Sequence, residues 1–248
     1  GRGKSHERAE RHPCGVSLHG NRRAKGGKPC GLQLEPSRDV PRDIASRETP
    51  LAHALRLGEG SRGVLGELAS AIGGYREYEI NLDVTNRAAA YLQSAGVTVD
   101  VLPATVPPSY LADAFVAIHA DGSKSTSLSG WKAAGHWREW EASTALIDAM
   151  KAEYGPASGL RWDGERITSG MRGYYALSSM RFRNTISTYT PGTILELGYL
   201  TNPSDRRLMT QQADRLARGV ANSILRFLRS KPQNGWPAPP PLPDLRAT

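Results

Sequence analysis

Long apolar runs are missing from this chain of 248 residues. Nothing approaches the roughly 18 consecutive apolar residues of a membrane span, so the chain reads as a folded domain outside the bilayer. Phenylalanine is scarce, with three in the whole sequence. A core must therefore be built from Leu, Val, Ile and Ala. Cysteine is nearly absent as well. Cys14 and Cys30 allow one disulfide but form no metal-ligand cluster, and they do not assign a redox compartment. No apolar stretch of signal-peptide type is visible near the start, so export, if it occurs, needs a segment outside this sequence or another route.

Positive charge, by contrast, is abundant. The formal net charge is +8, and much of it lies in the first fifty residues, in runs such as Gly1-Arg2-Gly3-Lys4 and Arg22-Arg23-Ala24-Lys25. This segment has no hydrophobic periodicity and reads as a basic, disordered tail over residues 1–50. Its charge suits adhesion to a polyanion, either nucleic acid or anionic wall polymers. The plainer reading is a solvated extension. No aromatic residues are interleaved for base stacking, which argues against nucleic acid. The other end, residues 231–248, carries Pro237, Pro239, Pro240, Pro241 and Pro243 and reads as a polyproline-type tail that packs little against the domain.

Between the tails, over 51–230, strand and helix patterns alternate. Ala54–Gly58, Val97–Leu102, Asp113–His119 and Thr193–Leu200 read as strands. Asn81–Ala95, Trp140–Tyr154 and Gln211–Leu228 read as helices, the last with Leu216, Val220, Ile224 and Leu228 spaced by four. The alternation predicts one α/β domain with a mostly parallel central sheet covered by helices on both faces.

Three segments carry candidate chemistry. Glu77 opens a helix and is followed four residues later by Asn81-Leu82. His119 ends an apolar strand, in Ala117-Ile118-His119-Ala120-Asp121. Glu196 interrupts the apolar run Ile194-Leu195-Glu196-Leu197-Gly198-Tyr199-Leu200, before Thr201-Asn202-Pro203. A glutamate in a helix's first turn is favoured by the dipole alone, and a histidine at a strand end is ordinary. Glu196 is different, because a carboxylate in a buried strand needs a partner, a metal or a raised pKa.

Taken together and in this order, Glu-x-x-x-Asn-Leu, Ala-Ile-His-Ala and Glu-Leu-Gly-Tyr-Leu-Thr-Asn-Pro resemble the zinc-dependent N-acetylmuramoyl-L-alanine amidases of type 3, over roughly residues 54 to 228. Met171-Arg172-Gly173-Tyr174-Tyr175 extends the resemblance. It implies a bacterial peptidoglycan hydrolase acting in the cell wall, extracellular or periplasmic. That enzyme cleaves the amide between N-acetylmuramic acid and L-alanine with zinc-activated water. Glu77 and His119 would be Zn²⁺ ligands and Glu196 the catalytic carboxylate.

The resemblance also implies a third ligand, a His in a Gly-His context after the first strand. This sequence places Glu59 there. His53, at the strand's other end, and His19-Gly20, in the tail, are the alternatives. A glutamate in that role makes the site more negative and weakens the metal as a Lewis acid. That leaves open a second function: a peptidoglycan-binding relative with a degraded metal site.

Overall fold

A computed structural model describes residues 75–102, 105–138 and 140–241, together with the backbone of 53–57. Glu59, Cys14, Cys30 and His19 lie outside the described residues, as do the rest of 1–52 and residues 242–248.

The described strands are β1 (His53–Leu57), β2 (Val99–Leu102), β3 (Phe115–Asp121), β4 (Lys132–Ala134) and β5 (Gly192–Tyr199). They form one sheet in the order β2-β1-β3-β5-β4. All neighbours run parallel except β4, which pairs antiparallel with β5. Helices lie in the β1–β2 and β3–β5 crossovers, as the strand–helix alternation predicts, whereas the β2–β3 connection holds no helix among the described residues. β4 is too short for any periodic pattern to reveal it, and it makes the sheet mixed.

The strands of the middle alternate between two different environments. In β3, Val116, Ile118 and Ala120 join one apolar cluster, while Phe115 and Ala117 join another. In β5, Leu195 and Leu197 belong to the first cluster and Ile194 to the second. The first face is covered by the three long helices: α1 (Glu77–Ser94), α2 (Glu141–Ser158) and, beyond the short α3 (Ser169–Arg172) and α4 (Pro203–Gln211), α5 (Ala213–Arg229). Each presents a stripe at helical spacing: Ile80, Val84, Ala88 and Leu92; Leu146, Met150 and Tyr154; Leu216, Val220, Ile224 and Phe227. Leu82, outside the stripe of α1, is only partly buried. α2 and α5 cross closely at Gly219, where an added Cβ would lie 2.7 Å from Ala157 Cβ.

The second face is covered by less regular chain. Val106, Ala112, Met171, Ala176 and Ile186 close over it, with α3 and the 3-10 turns at Gly164–Arg166 and Tyr175–Leu177 as short helical pieces. This is the face that carries polar side chains.

The helix expected over Gln211–Leu228 is α5, and the separate helix α4 precedes it. α4 begins at a strong local signal, because Asn202 Oδ1 accepts from the amides of Ser204 and Asp205 and Pro203 opens the helix. Buried Asp205 then accepts from the backbone of Gly130 and Tyr199 and from Ser129 Oγ, tying the end of β5 to the approach to β4.

The expectation that the Pro-rich end packs little is corrected for residues 231–241. Trp236 stacks on Phe227 of α5, with ring centroids 5.6 Å apart. Trp140 Nε1 donates to Pro237 O at 2.7 Å, and Arg138 Nη2 to Pro240 O at 2.5 Å. The two carbonyls are three residues apart, one turn of a polyproline helix, so a row of donors can meet both. The proline composition stiffens the segment; Trp236 and these donors attach it.

Candidate active site

In a strand–helix–strand crossover the helix runs back against the strands, so its N-terminus returns to the edge where the strands end. Glu77, the first residue of α1, is therefore brought to the C-terminal edge of the sheet. Its carboxylate is held there from three sides. Asn81 Nδ2, four residues on and hence on the same helix face, donates to Glu77 Oε1 at 3.2 Å. Ala120 N donates at 3.4 Å, and His119 Nδ1 lies 3.2 Å away. The spacing of Glu77 and Asn81 in the sequence thus has a local geometric reason.

His119 sits opposite Glu196 in the β3–β5 register, and Glu196 sits opposite Lys132 in the β5–β4 register. Residues paired across neighbouring strands point to the same face. His119, Glu196 and Lys132 thus form a row across three strands, on the face away from the long helices. The other nitrogen of His119, Nε2, meets the Tyr174 hydroxyl at 3.2 Å, and the two rings stand edge to face at 5.3 Å. The imidazole is fixed at both nitrogens.

Glu196 is 8 % exposed, and its Oε2 has no hydrogen-bond partner. Burial pushes its carboxyl well above the usual range; the negative charges of Asp121 and Glu77 add to this, and Lys132 opposes it. The group is thus poised to hold a proton.

Lys132 is itself buried, yet its ammonium is fully engaged. It pairs with Asp121 Oδ2 at 2.5 Å and donates to Tyr199 OH and to Arg166 O, each at 3.0 Å. Burial works against its charge, but Asp121 and Tyr199 together outweigh it and the net shift is upward. Tyr199 reaches this position because β5 carries an irregularity between Glu196 and Tyr199: His119 pairs with Glu196, but Asp121 pairs with Tyr199. Its hydroxyl donates to Asp163 Oδ2 at 2.7 Å, and burial first, then that bond, pushes its pKa up to about 12. Asp163 stays ionised: burial disfavours the charge, but Tyr199 and Arg166 hold its carboxyl below the usual range.

The structure therefore brings together Glu77, His119 and Glu196. The donor pair Glu77 Oε1 and His119 Nδ1, 3.2 Å apart, also has the separation of two ligands around a tetrahedral zinc, about 3.3 Å for bonds near 2.0 Å. Among the described residues no three His, Cys, Asp or Glu side chains form a metal cluster. β1 ends at Leu57, opposite Ile118, so the chain leaves that strand one position short of His119. His53 is at the wrong end. Its backbone lies five positions down the strand from the level of His119, about 16 Å at 3.3 Å per residue.

Sequence reasoning missed Lys132, Asp121, Tyr199 and Asp163. A lysine within Trp131-Lys132-Ala133-Ala134 is the same kind of signal as Glu196, a charge inside an apolar run. Asp121, Tyr199 and Tyr174 stand inside the motifs of the sequence, which give them no role of their own.

The sequence profile of the N-acetylmuramoyl-L-alanine amidases matches residues 52–226. The chain belongs to that family. Solved structures with the same fold include the catalytic domain of CwlV, an N-acetylmuramoyl-L-alanine amidase from Bacillus (Paenibacillus) polymyxa var. colistinus. It is 24% identical, covering 73% of this chain and 100% of that one, with a TM-score of 0.53. The amidase AmiC2 of Nostoc punctiforme is 21% identical over 72% of this chain and 97% of its own, with a TM-score of 0.54. The CwlD amidase from Clostridioides difficile, solved in complex with the GerS lipoprotein, is 17% identical over 73% and 99%, with a TM-score of 0.53. No curated protein sequence matches this chain. No helix among the described residues is long and apolar enough to cross a membrane.

Proposed function

We propose that this amidase is zinc-dependent and cleaves the bond between the lactyl group of N-acetylmuramic acid and L-alanine in peptidoglycan, acting outside the cytoplasmic membrane. The observation that carries the reading is the buried, unpartnered Oε2 of Glu196, directly opposite His119, which in turn meets Glu77. Glu77 and His119 would hold the metal, with Glu59 as the third donor.

When bound, zinc supplies Lewis acidity: it polarises a carbonyl and lowers the pKa of water. The remaining work falls to the chain's own groups. Glu196 accepts a proton from the attacking water and passes it to the leaving amine of L-alanine. Its burial makes it a strong enough base for the first transfer and a proton holder for the second. A positive charge nearby brings the carboxyl back toward ionisation, and Lys132 supplies that charge. Asn81 and Ala120 N fix the Glu77 carboxylate, and Tyr174 fixes the imidazole plane, so neither donor has to reorganise. The basic residues of 1–50 suit contact with anionic wall polymers.

The test combines zinc content with release of stem peptide bearing a free L-alanine amine. Wild-type protein should carry zinc and release the peptide. His119→Ala should lose both metal and activity. A wild type that holds no zinc and cleaves nothing would remove the catalytic reading and leave a peptidoglycan-binding relative, in which case Glu59→His is the variant that should restore metal.

A further inference from the structure

Aromatic side chains run outward from His119 in a series of ring contacts. The His119 and Tyr174 centroids are 5.3 Å apart, those of Tyr174 and Tyr175 5.2 Å, and those of Tyr175 and Phe182 6.1 Å. Phe182, at the end of the series, is 42% exposed. A second exposed ring stands beside the start of the same segment. Trp137 is 55% exposed, and its Nε1 lies 3.5 Å from where a Cβ on Gly173 would be, one residue before Tyr174. Arg138 Nη1 contacts Met180 Sδ at 4.0 Å, which holds the Trp137 loop against the 172–182 segment. Each exposed ring is accompanied by a guanidinium: Arg172 is 5.9 Å from the Trp137 centroid and Arg181 is 5.6 Å from that of Phe182.

Single exposed aromatics are ordinary on protein surfaces. Two of them flanking the tyrosine that touches His119 are not explained by packing. Exposed rings bind partners with flat, weakly polar faces. A pyranose chair is such a partner: one face presents C–H bonds, which suit the electron-rich face of an indole or phenyl ring, while its hydroxyl rim suits guanidinium donors. A nucleobase would stack equally well. The choice between them follows from the amidase reading: the family is named for a bond to an N-acetylmuramoyl group, itself a pyranose, so a sugar is the partner this surface meets.

We propose that Trp137 and Phe182 form a saccharide subsite that binds the glycan strand beside the muramic acid being cleaved. The proposal rests on the amidase reading for its place in the reaction, but its binding test does not. The probe is an uncharged N-acetylglucosamine hexamer, which has no bond for an amidase to cut. Binding to the full chain is followed by calorimetry, with a single-stranded oligonucleotide as the competing probe. The hexamer should bind wild type. Trp137→Ala should weaken it about tenfold, the scale of one aromatic stacking contact, Phe182→Ala by less, and Trp137→Phe should retain most of it. On peptidoglycan, Trp137→Ala should raise KM and leave kcat unchanged. Both rings are exposed, so unchanged melting curves will show that the variants fold.

Hexamer binding that Trp137→Ala leaves intact, no hexamer binding at all, or preferential oligonucleotide binding would each overturn the subsite. Hexamer binding that depends on Trp137 in a protein that releases no stem peptide would uphold the subsite while removing the amidase reading.

Discussion

The two faces of the sheet are cut from the same strands and do different work. On one face Val116, Ile118, Leu195 and Leu197 meet three long helices. On the other, one residue along in each strand, stand His119 and Glu196. The helical face is close-packed and chemically silent. The opposite face is closed by short turns and irregular chain, and it leaves Glu196 Oε2 without a partner. Because the strand period is two, a slip of one residue would exchange the faces, placing leucines in the cleft and a carboxylate under helices. The long helices therefore fix not only stability but also which side chains can become catalytic.

The comparison is broken most sharply at Glu196. Glu196→Gln should lower peptidoglycan hydrolysis roughly 10²- to 10⁴-fold, the range for loss of a general acid–base group, with zinc content unchanged. Activity within a few-fold of wild type would remove Glu196 from the mechanism. The same variant should become more stable. In the metal-free wild type, burial raises the Glu196 pKa, so the folded chain holds a proton that the unfolded chain releases above about pH 4.3. That group's contribution is fully present below this pH and is lost as pH rises through the folded value. Denaturant titrations of metal-free protein should show Glu196→Gln overtaking wild type as pH rises toward neutrality, and the two converging near pH 4.

The mirror-image change is Leu195→Ala, next in the chain but on the helical face and fully buried. It should cost about 2–5 kcal/mol of stability, the usual range for a core leucine, while the folded fraction keeps its kcat. If Leu195→Ala lost activity without losing stability, the division of labour between the faces would be wrong.

Much of this division is legible in the sequence, and unevenly so. β3 and β5 announce themselves as apolar runs, and Glu196 and His119 stand out because they interrupt or end them. α5 is readable from its spacing of four. What cannot be read is what depends on partners distant in the chain. β4 is three residues long and exists only because β5 offers an edge. Lys132 gains its meaning from Asp121, Tyr199 and Arg166, separated from it by 11 to 67 positions. The one-residue irregularity that swings Tyr199 into the site leaves no mark on the hydrophobic pattern.

A smaller effect sharpens the picture of the helical face. Gly219→Ala should gain up to about 1 kcal/mol of helix propensity. The new methyl, however, would lie 2.7 Å from Ala157 Cβ and 3.3 Å from Tyr154 Cα, atoms with no rotamer to yield. α2 and α5 must separate, at a cost of about 1–3 kcal/mol. A net loss, read as a lower melting midpoint with unchanged KM, is expected; a net gain would mean that the crossing is looser than drawn.

The smallest expected effect concerns the segment that joins the two faces at the domain's edge. Trp236 rests on Phe227 of the helical face, while the carbonyls of Pro237 and Pro240 accept from Trp140 and Arg138, beside the chain that closes the other. The two attachments differ in kind. Trp236 buries apolar surface, so Trp236→Ala should cost about 1–2 kcal/mol, the partial burial of a large ring. The Trp140 bond is solvent-exposed, and Trp140→Phe removes only the donor. It should cost about 0.5 kcal/mol, the low end for a hydrogen bond that water can replace. Both variants should leave kcat unchanged, since neither residue is in contact with Glu77, His119 or Glu196. The sharper test is the double variant. If Trp236 seats the strap, losing that anchor frees the hydrogen bond with it, and the double variant should be scarcely less stable than Trp236→Ala alone. Full additivity in melting experiments would instead show two independent contacts, and the faces would then be joined only through the sheet itself.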